Sequence, residues 1–342
     1  MSTIYPWQHD ILQGLLKRWH AGQLPHALLF SGIAGLGKED LAEHFGTMLI
    51  CEKCQPQAVT QDSLESLAPC GQCQGCKLLQ AGSHPDFKSV RSEAGKAIPV
   101  DTIRGIGEFL SLKSQLAPMQ VVIISPADKM NRFSANSLLK TLEEPTPNTL
   151  LILVTNKPSS LLPTIRSRCQ SVLFHRPSLD VASQWLKEQC QAKGVTVNEA
   201  QLHSLLQLAD RAPLMALAYA EADALSQREK LIASLDKLSS QQADPVIEAG
   251  NWRDNGVTQC IKWLTLWTMD MIRLKSGAAA DDKSTDGQWP MLQKLSENID
   301  LQRLFAYLDK LTESTRLLDT QVNQELMMED LLISWSRLGT VR

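Results

Sequence analysis

The stretch from Ser31 to Asp40, "SGIAGLGKED", has the glycines and lysine of a phosphate-binding loop but not its hydroxyl. In the pattern G-x-x-x-x-G-K-[ST], glycines let backbone N–H groups approach phosphate oxygens, the lysine reaches the terminal phosphates, and the Ser or Thr hydroxyl holds magnesium. Gly32, Gly37 and Lys38 fit, with Gly35 between them, but Glu39 stands where the hydroxyl belongs. A carboxylate is comfortable at a helix N-terminus, yet it cannot replace the hydroxyl on phosphate-bound magnesium and repels a triphosphate a few ångströms away. Gly32, Gly35, Gly37 and Lys38 are therefore candidate phosphate contacts of a degenerate loop, expected to be a structural relic. Hydrolysis also needs an acidic strand end to hold the metal and polarise water. The strand candidate "VVIIS" ends at Ser125 and Pro126, with Asp128 three residues further on, so this half is missing too.

A second cluster reads "ICEKCQPQAVTQDSLESLAPCGQCQGCK" and holds five of the 8 cysteines. Cys70, Cys73 and Cys76 form C-x-x-C-x-x-C, which lets a tight turn offer three thiolates to one ion, and a fourth ligand completes a closed, structural zinc site. Cys51, Cys54 and His84 compete for that place, and Cys51 is preferred because it ends the preceding helix. Cys169, Cys190 and Cys260 stand alone and read as small hydrophobes. In "TIRSRC", Arg166 and Arg168 fall on a short helix, where from pattern alone an arginine caps that helix or pairs with Glu143 or Glu144. "HPDF", 84–87, also stands out.

The elements that must position these residues follow from periodicity. Strand candidates are 27–31, 87–90, 121–125, 150–154 and 171–174, and helical stretches lie between them. Leu41, Phe45, Met48 and Leu49 line one helix face, as do Ile103, Ile106, Phe109 and Leu110 in another. Alternating strands and helices predict a parallel sheet. After residue 178 the pattern is helical, near 179–192, 197–209, 213–237, 258–275, 300–318 and 322–338, with Leu301, Leu304, Leu308 and Leu311 on one face and Val322, Leu326 and Trp335 on another. The segment 276–287 reads as a loop.

With 342 residues there is room for two or three domains. The 34 Lys+Arg against 37 Asp+Glu, net -3, argue against a dedicated nucleic-acid binder. The start lacks a signal-peptide pattern and the longest strongly apolar run, 150–154, is far too short to cross a bilayer, so a cytoplasmic protein without membrane contact is expected.

Together these motifs resemble bacterial clamp loaders, the AAA+ assemblies that place the sliding clamp on DNA for the replicative polymerase III. "HALLFSGIAGLGKEDLA", the inserted cysteines, "HPDF", "VDTIRGI", "VVIISPADKM", "ANSLLKTLEEP", "TIRSRC" and "NQELMMEDLLISW" carry the resemblance over essentially the whole chain. It implies a RecA-like AAA+ α/β domain at 1–174 with an inserted zinc module at 51–76, a helical lid at 175–218 and an all-α collar domain at 219–342 for oligomerisation. The family's motor subunits, gamma and tau, carry a complete phosphate loop and an acidic second motif. The losses here resemble its non-motor, stator-like branch.

Arg168 is then implied to be an arginine finger acting in trans at a neighbour's ATP, with Arg166 structural. Thr155 takes a sensor position, and Leu214 stands where a second sensor arginine is expected, with Arg211 three residues earlier. Implied partners are gamma or tau and delta, and indirectly the clamp, primed DNA and the polymerase core, within the DNA-directed DNA polymerase III holoenzyme. The implied cofactor is zinc, with no ATP–magnesium hydrolysis by this chain. Lys38 is retained, so phosphate binding stays open. The spacing from Cys51 to Cys70 looks longer than the family's, so the fourth zinc ligand stays open too. The competing readings are a gamma- or tau-like ATPase and a zinc-dependent single-strand DNA binder. The latter is disfavoured by the charge balance and 5% aromatic residues.

Overall fold

The computed structural model describes residues 4–55, 68–92, 96–277, 289–318 and 322–339. The chain divides into two compact units, Met1–Leu186 with Arg211–Ala216, and Lys187–Asp210 with Leu217–Arg342.

The first unit contains α1 (His9–His20), β1 (Ala27–Ser31), α2 (Lys38–Ile50), α3 (Gln74–Gln80), β2 (Phe87–Arg91), α4 (Val100–Ser111), β3 (Gln120–Ser125), α5 (Arg132–Glu143), β4 (Thr149–Thr155), α6 (Pro163–Arg166) and β5 (Gln170–Leu173). The strands form one parallel sheet in the order β2-β3-β4-β1-β5. All of β1 and β3 is buried, as helix cover on both faces of a parallel sheet requires. Side chains alternate between the two layers. Leu28, Phe30, Val121, Ile123 and Ile152 pack with Leu16, Leu41, Phe45 and Met48 from α1 and α2. Leu29, Val122, Ile124, Leu151 and Leu153 pack with Ile103, Ile106, Leu138 and Leu142 from α4 and α5. The register sets Ser31 level with Thr155 and Leu173, and Arg91 level with Ser125. The loop after β1 therefore shares an edge with the ends of β3 and β4, the edge where open α/β sheets take ligands.

The chain passes between the units within α7 (Leu179–Ala192), back between Asp210 and Arg211 after α8 (Glu199–Leu208), and a third time within α9 (Pro213–Glu221). The second unit continues with α10 (Ala224–Ser239), α11 (Pro245–Asp254), α12 (Val257–Lys275), α13 (Trp289–Glu297), α14 (Leu301–Leu317) and α15 (Gln324–Ser336). Trp252, Trp263, Trp267 and Trp335 form its core. The Trp252 indole N–H donates to Ser234 Oγ at 2.9 Å and that of Trp335 to the Leu235 carbonyl at 3.1 Å, so both large side chains are buried with their donors satisfied. Cys169, Cys190 and Cys260 are all buried.

Three expectations need correction. The single helix at 213–237 is two, broken at Asp223, which holds φ 50° and ψ 40°. The short helices α11 and α13 were not anticipated. Two helix faces are also rotated: α14 buries Leu304, Tyr307, Leu311 and Ser314 while Leu301 is exposed, and α15 buries Met327, Met328, Leu331, Leu332 and Trp335 while Leu326 is exposed. Of the expected loop at 276–287, residues 278–287 lie outside the described residues.

Candidate functional site

The phosphate-type loop joins β1 to α2, and its glycines are held where side chains do not fit. At Gly37, with φ 73°, a Cβ would lie 2.4 Å from the Tyr5 ring, and at Gly35, with φ 81°, it would lie 2.9 Å from the Met215 backbone. Gly32 faces the Phe174 carbonyl just as closely. The polar groups of the loop are satisfied within the protein. Lys38 is buried and its ammonium donates to the Ile33 carbonyl at 2.6 Å and to Asn156 Oδ1 at 2.7 Å. Burial lowers its pKa to about 8 against the opposing charge of Asp128. Glu39 accepts from the Ser125 hydroxyl at 2.8 Å and pairs with Arg91 Nε at 2.6 Å, and Arg91 also pairs with Glu43. Asp128 accepts from the Thr155 hydroxyl at 2.5 Å and from the Asn156 N–H at 3.2 Å. Leu214 donates its N–H to the Gly35 carbonyl at 3.2 Å and lines the remaining cavity, about 270 Å³. That is below the roughly 300–1,000 Å³ of small-molecule sites.

Sequence reading missed the N-terminal clasp over this loop. The Gln8 amide donates to the Leu36 and Gly37 carbonyls at 2.8 and 2.7 Å, the Trp7 indole to the Leu36 carbonyl at 3.0 Å, and the Tyr5 hydroxyl to Asp40 at 3.2 Å. Tyr5 stacks on Trp7 with ring centroids 5.1 Å apart, and both meet Trp185 edge-on. Two aromatics within "YPWQ" were the available signal.

Cys51 sits at the C-cap of α2, and Cys70, Cys73 and Cys76 on the turn that opens α3. Their Sγ atoms all lie within 4.8 Å of one another. The chain's own N–H groups already serve these sulfurs: Cys70 N–H donates to Cys51 Sγ (3.4 Å), Cys73 N–H to Cys70 Sγ (3.3 Å) and Cys76 N–H to Cys73 Sγ (3.4 Å). Backbone donors of Gln72 and Cys73 pull the Cys70 thiol down to about 6, since N–H donation favours the thiolate that a metal requires. Four soft donors in this spread suit a tetrahedral thiolate site, so the cluster could hold a metal such as zinc. Cys54 stands outside this group and donates to the Ala68 carbonyl at 3.4 Å. His84 also stands outside it, with Nδ1 accepting from the Asp86 N–H at 3.0 Å.

That contact begins the explanation of "HPDF". The Asp86 carboxylate, fully buried, accepts the backbone N–H groups of Gln115, Leu116 and Ala117 at 2.7, 2.7 and 2.8 Å. Burial alone would raise its pKa, but the three donors hold it below the ordinary value. Asp86→Asn is therefore expected to destabilise the fold by about 2–3 kcal/mol, the scale of charge-assisted hydrogen bonds lost from a buried turn. A depressed carboxylate stabilises above its unfolded pKa of about 3.9 and loses that contribution as pH falls through its lower folded value. Urea unfolding should show the wild-type advantage steady from about pH 5 to 8 and shrinking below about pH 4.

Arg168 lies just beyond α6. Its Nη2 pairs with Glu143 Oε1 at 2.6 Å and its Nη1 donates to the Thr164 carbonyl at 3.1 Å, so it both caps the short helix and forms the acid pair. Arg166 is exposed.

A parallel β2-β3-β4-β1-β5 sheet with a phosphate-type loop after β1, a four-cysteine cluster beside α2 and a following helical domain define a nucleotide-type α/β domain joined to an all-α one, with the loop's polar groups engaged by the chain's own residues. The family model "DNA polymerase III, delta subunit" matches residues 7–178 and "DNA polymerase III, delta subunit, C terminal" matches 222–337. DNA polymerase III subunit delta' of Pseudomonas aeruginosa is 33% identical over 99% of both chains, and that of Escherichia coli 31% identical over 96% of this chain and 94% of its own length. A solved gamma subunit-related protein from Thermotoga maritima aligns with 97% of the chain at 18% identity and a TM-score of 0.44, covering 100% of that structure. The chain belongs to the family of DNA polymerase III delta' subunits. Among the described residues no helix is long and apolar enough to cross a membrane.

Proposed function

We propose that this chain is a non-motor, stator-like clamp-loader subunit that helps place the sliding clamp on primed DNA and does not hydrolyse ATP itself. It acts in the cytoplasm with gamma or tau and delta, and through them with the clamp, the DNA and the polymerase core. Residues 1–174 serve as the AAA+ domain, 175–218 as the lid and 219–342 as the collar. Zinc held by Cys51, Cys70, Cys73 and Cys76 fixes the inserted module. Arg168 reaches in trans to the γ-phosphate of ATP bound by a neighbouring motor subunit, where a fixed positive charge stabilises the transferring phosphoryl group.

One observation carries the non-motor reading. The Glu39 carboxylate lies between Ser125 and Arg91, where a working loop keeps its magnesium hydroxyl, while Lys38 spends its ammonium on Ile33 and Asn156. A triphosphate would have to displace both arrangements and meet a negative charge. ATP with magnesium is expected to show no turnover above buffer with the purified chain. Robust hydrolysis abolished by Lys38→Ala would overturn the proposal.

A further inference from the structure

Arg168 is held by two different elements. Glu143, the last residue of α5, takes Nη2, and the carbonyl of Thr164, the second residue of α6, takes Nη1. A guanidinium has five N–H donors in one plane, so these contacts fix that plane while, among the described residues, Nε and one N–H on each terminal nitrogen find no partner. The Arg168 side chain is 36% exposed, so the fork stands at the surface of its unit. Glu143 itself sits at a helix C-terminus, where the carbonyl ends disfavour a carboxylate. Its neighbour Glu144, at the C-cap, forms no ion pair with Arg168. Of the two acids at this helix end, Glu143 is the one that engages the arginine.

We infer that Glu143 is a positioning residue for Arg168, orienting the fork so that its free donors point outward toward a phosphate held by another subunit. The inference rests on the arginine-finger reading above. A free arginine side chain samples many rotamers, and a transition-state contact loses rate steeply when its donor is misplaced by about an ångström. Glu143 neutralises part of the charge of Arg168 but spends only one of its donors. Orientation without occlusion follows from that arithmetic.

The test uses the reconstituted clamp loader with DNA and clamp, after co-elution shows that each variant still assembles. Glu143→Ala is expected to lower turnover at the one ATP site that Arg168 serves about threefold to tenfold, read within the share of the complex's kcat that Arg168→Ala removes, with KM unchanged because the neighbour's own loop binds the nucleotide. Glu143→Gln, which keeps an acceptor at the same place, should restore most of the rate. Adding Glu143→Ala to Arg168→Ala should cost nothing further. An unchanged or raised kcat in Glu143→Ala beside a lowered one in Arg168→Ala would overturn the positioning role and leave the finger standing. A silent Arg168→Ala would instead remove the finger reading itself.

Discussion

Cys73→Ser is expected to take the zinc content of the purified chain from about one equivalent to near zero, and to strip protection from the segment around α3. Metal analysis and amide exchange over residues 68–84 read the two effects. The cluster draws on the end of α2 and the start of α3, so a metal held there would join two stretches that are distant in sequence. Apparent binding energies of structural zinc run to about 10–16 kcal/mol in small zinc modules, where metal binding and folding are one event. A three-thiolate remnant loses the closed tetrahedron, and α3, with seven residues, is too short to persist on its own propensity. Cys54→Ser is the discriminating control. Its thiol points to the Ala68 carbonyl outside the four-sulfur group, so the metal should stay. If Cys54→Ser releases zinc while Cys51→Ser retains it, the ligand set is wrong. Loss of metal in both would mean that Cys54 supports the site even without binding the ion.

How much of this was legible in the sequence depended on how local each signal was. The central strands β1, β3 and β4 could be read closely because each is an apolar run buried on both faces, whereas the edge strands β2 and β5 keep exposed positions and were legible from their flanking elements. The degenerate loop was legible for a similar reason, since one wrong residue at Glu39 breaks a fixed spacing. What filled the loop was not. The partners of Glu39 are Ser125, 86 residues away, and Arg91, while the partner of Lys38 is Asn156, 118 residues away. Pairings at that range follow from the sheet register, which brings the ends of β2, β3 and β4 to one edge. The helical unit was harder for another reason. In α14 the expected face of Leu301, Leu304, Leu308 and Leu311 keeps Leu304 and Leu311 but is shifted by a fraction of a turn toward Tyr307, which carries more of the packing than its polar hydroxyl suggests. In α11 only Ala249 and Trp252 are buried, too few for a periodicity to register.

Arg168→Ala should produce the largest functional change that this chain can transmit. An arginine supplied in trans to a phosphoryl-transfer site contributes about 10³–10⁵ in kcat, so the ATP site served by this subunit should fall nearly silent. The complex should keep only the turnover of its remaining sites. The folding cost should be small: the pair with Glu143 is half-exposed, and pairs of that kind contribute about 0–1 kcal/mol. Co-elution with the partner subunits and an unchanged zinc content would establish that the variant is otherwise sound. Arg168→Lys adds a sharper reading. Lysine keeps the charge but has no planar fork and cannot hold Glu143 and Thr164 while directing further donors outward. It should therefore recover part of the rate if charge alone suffices, and little of it if the fork geometry is what the phosphate requires. Full activity in Arg168→Ala within an intact assembly would remove the chain's proposed contribution to hydrolysis and leave it a purely architectural subunit.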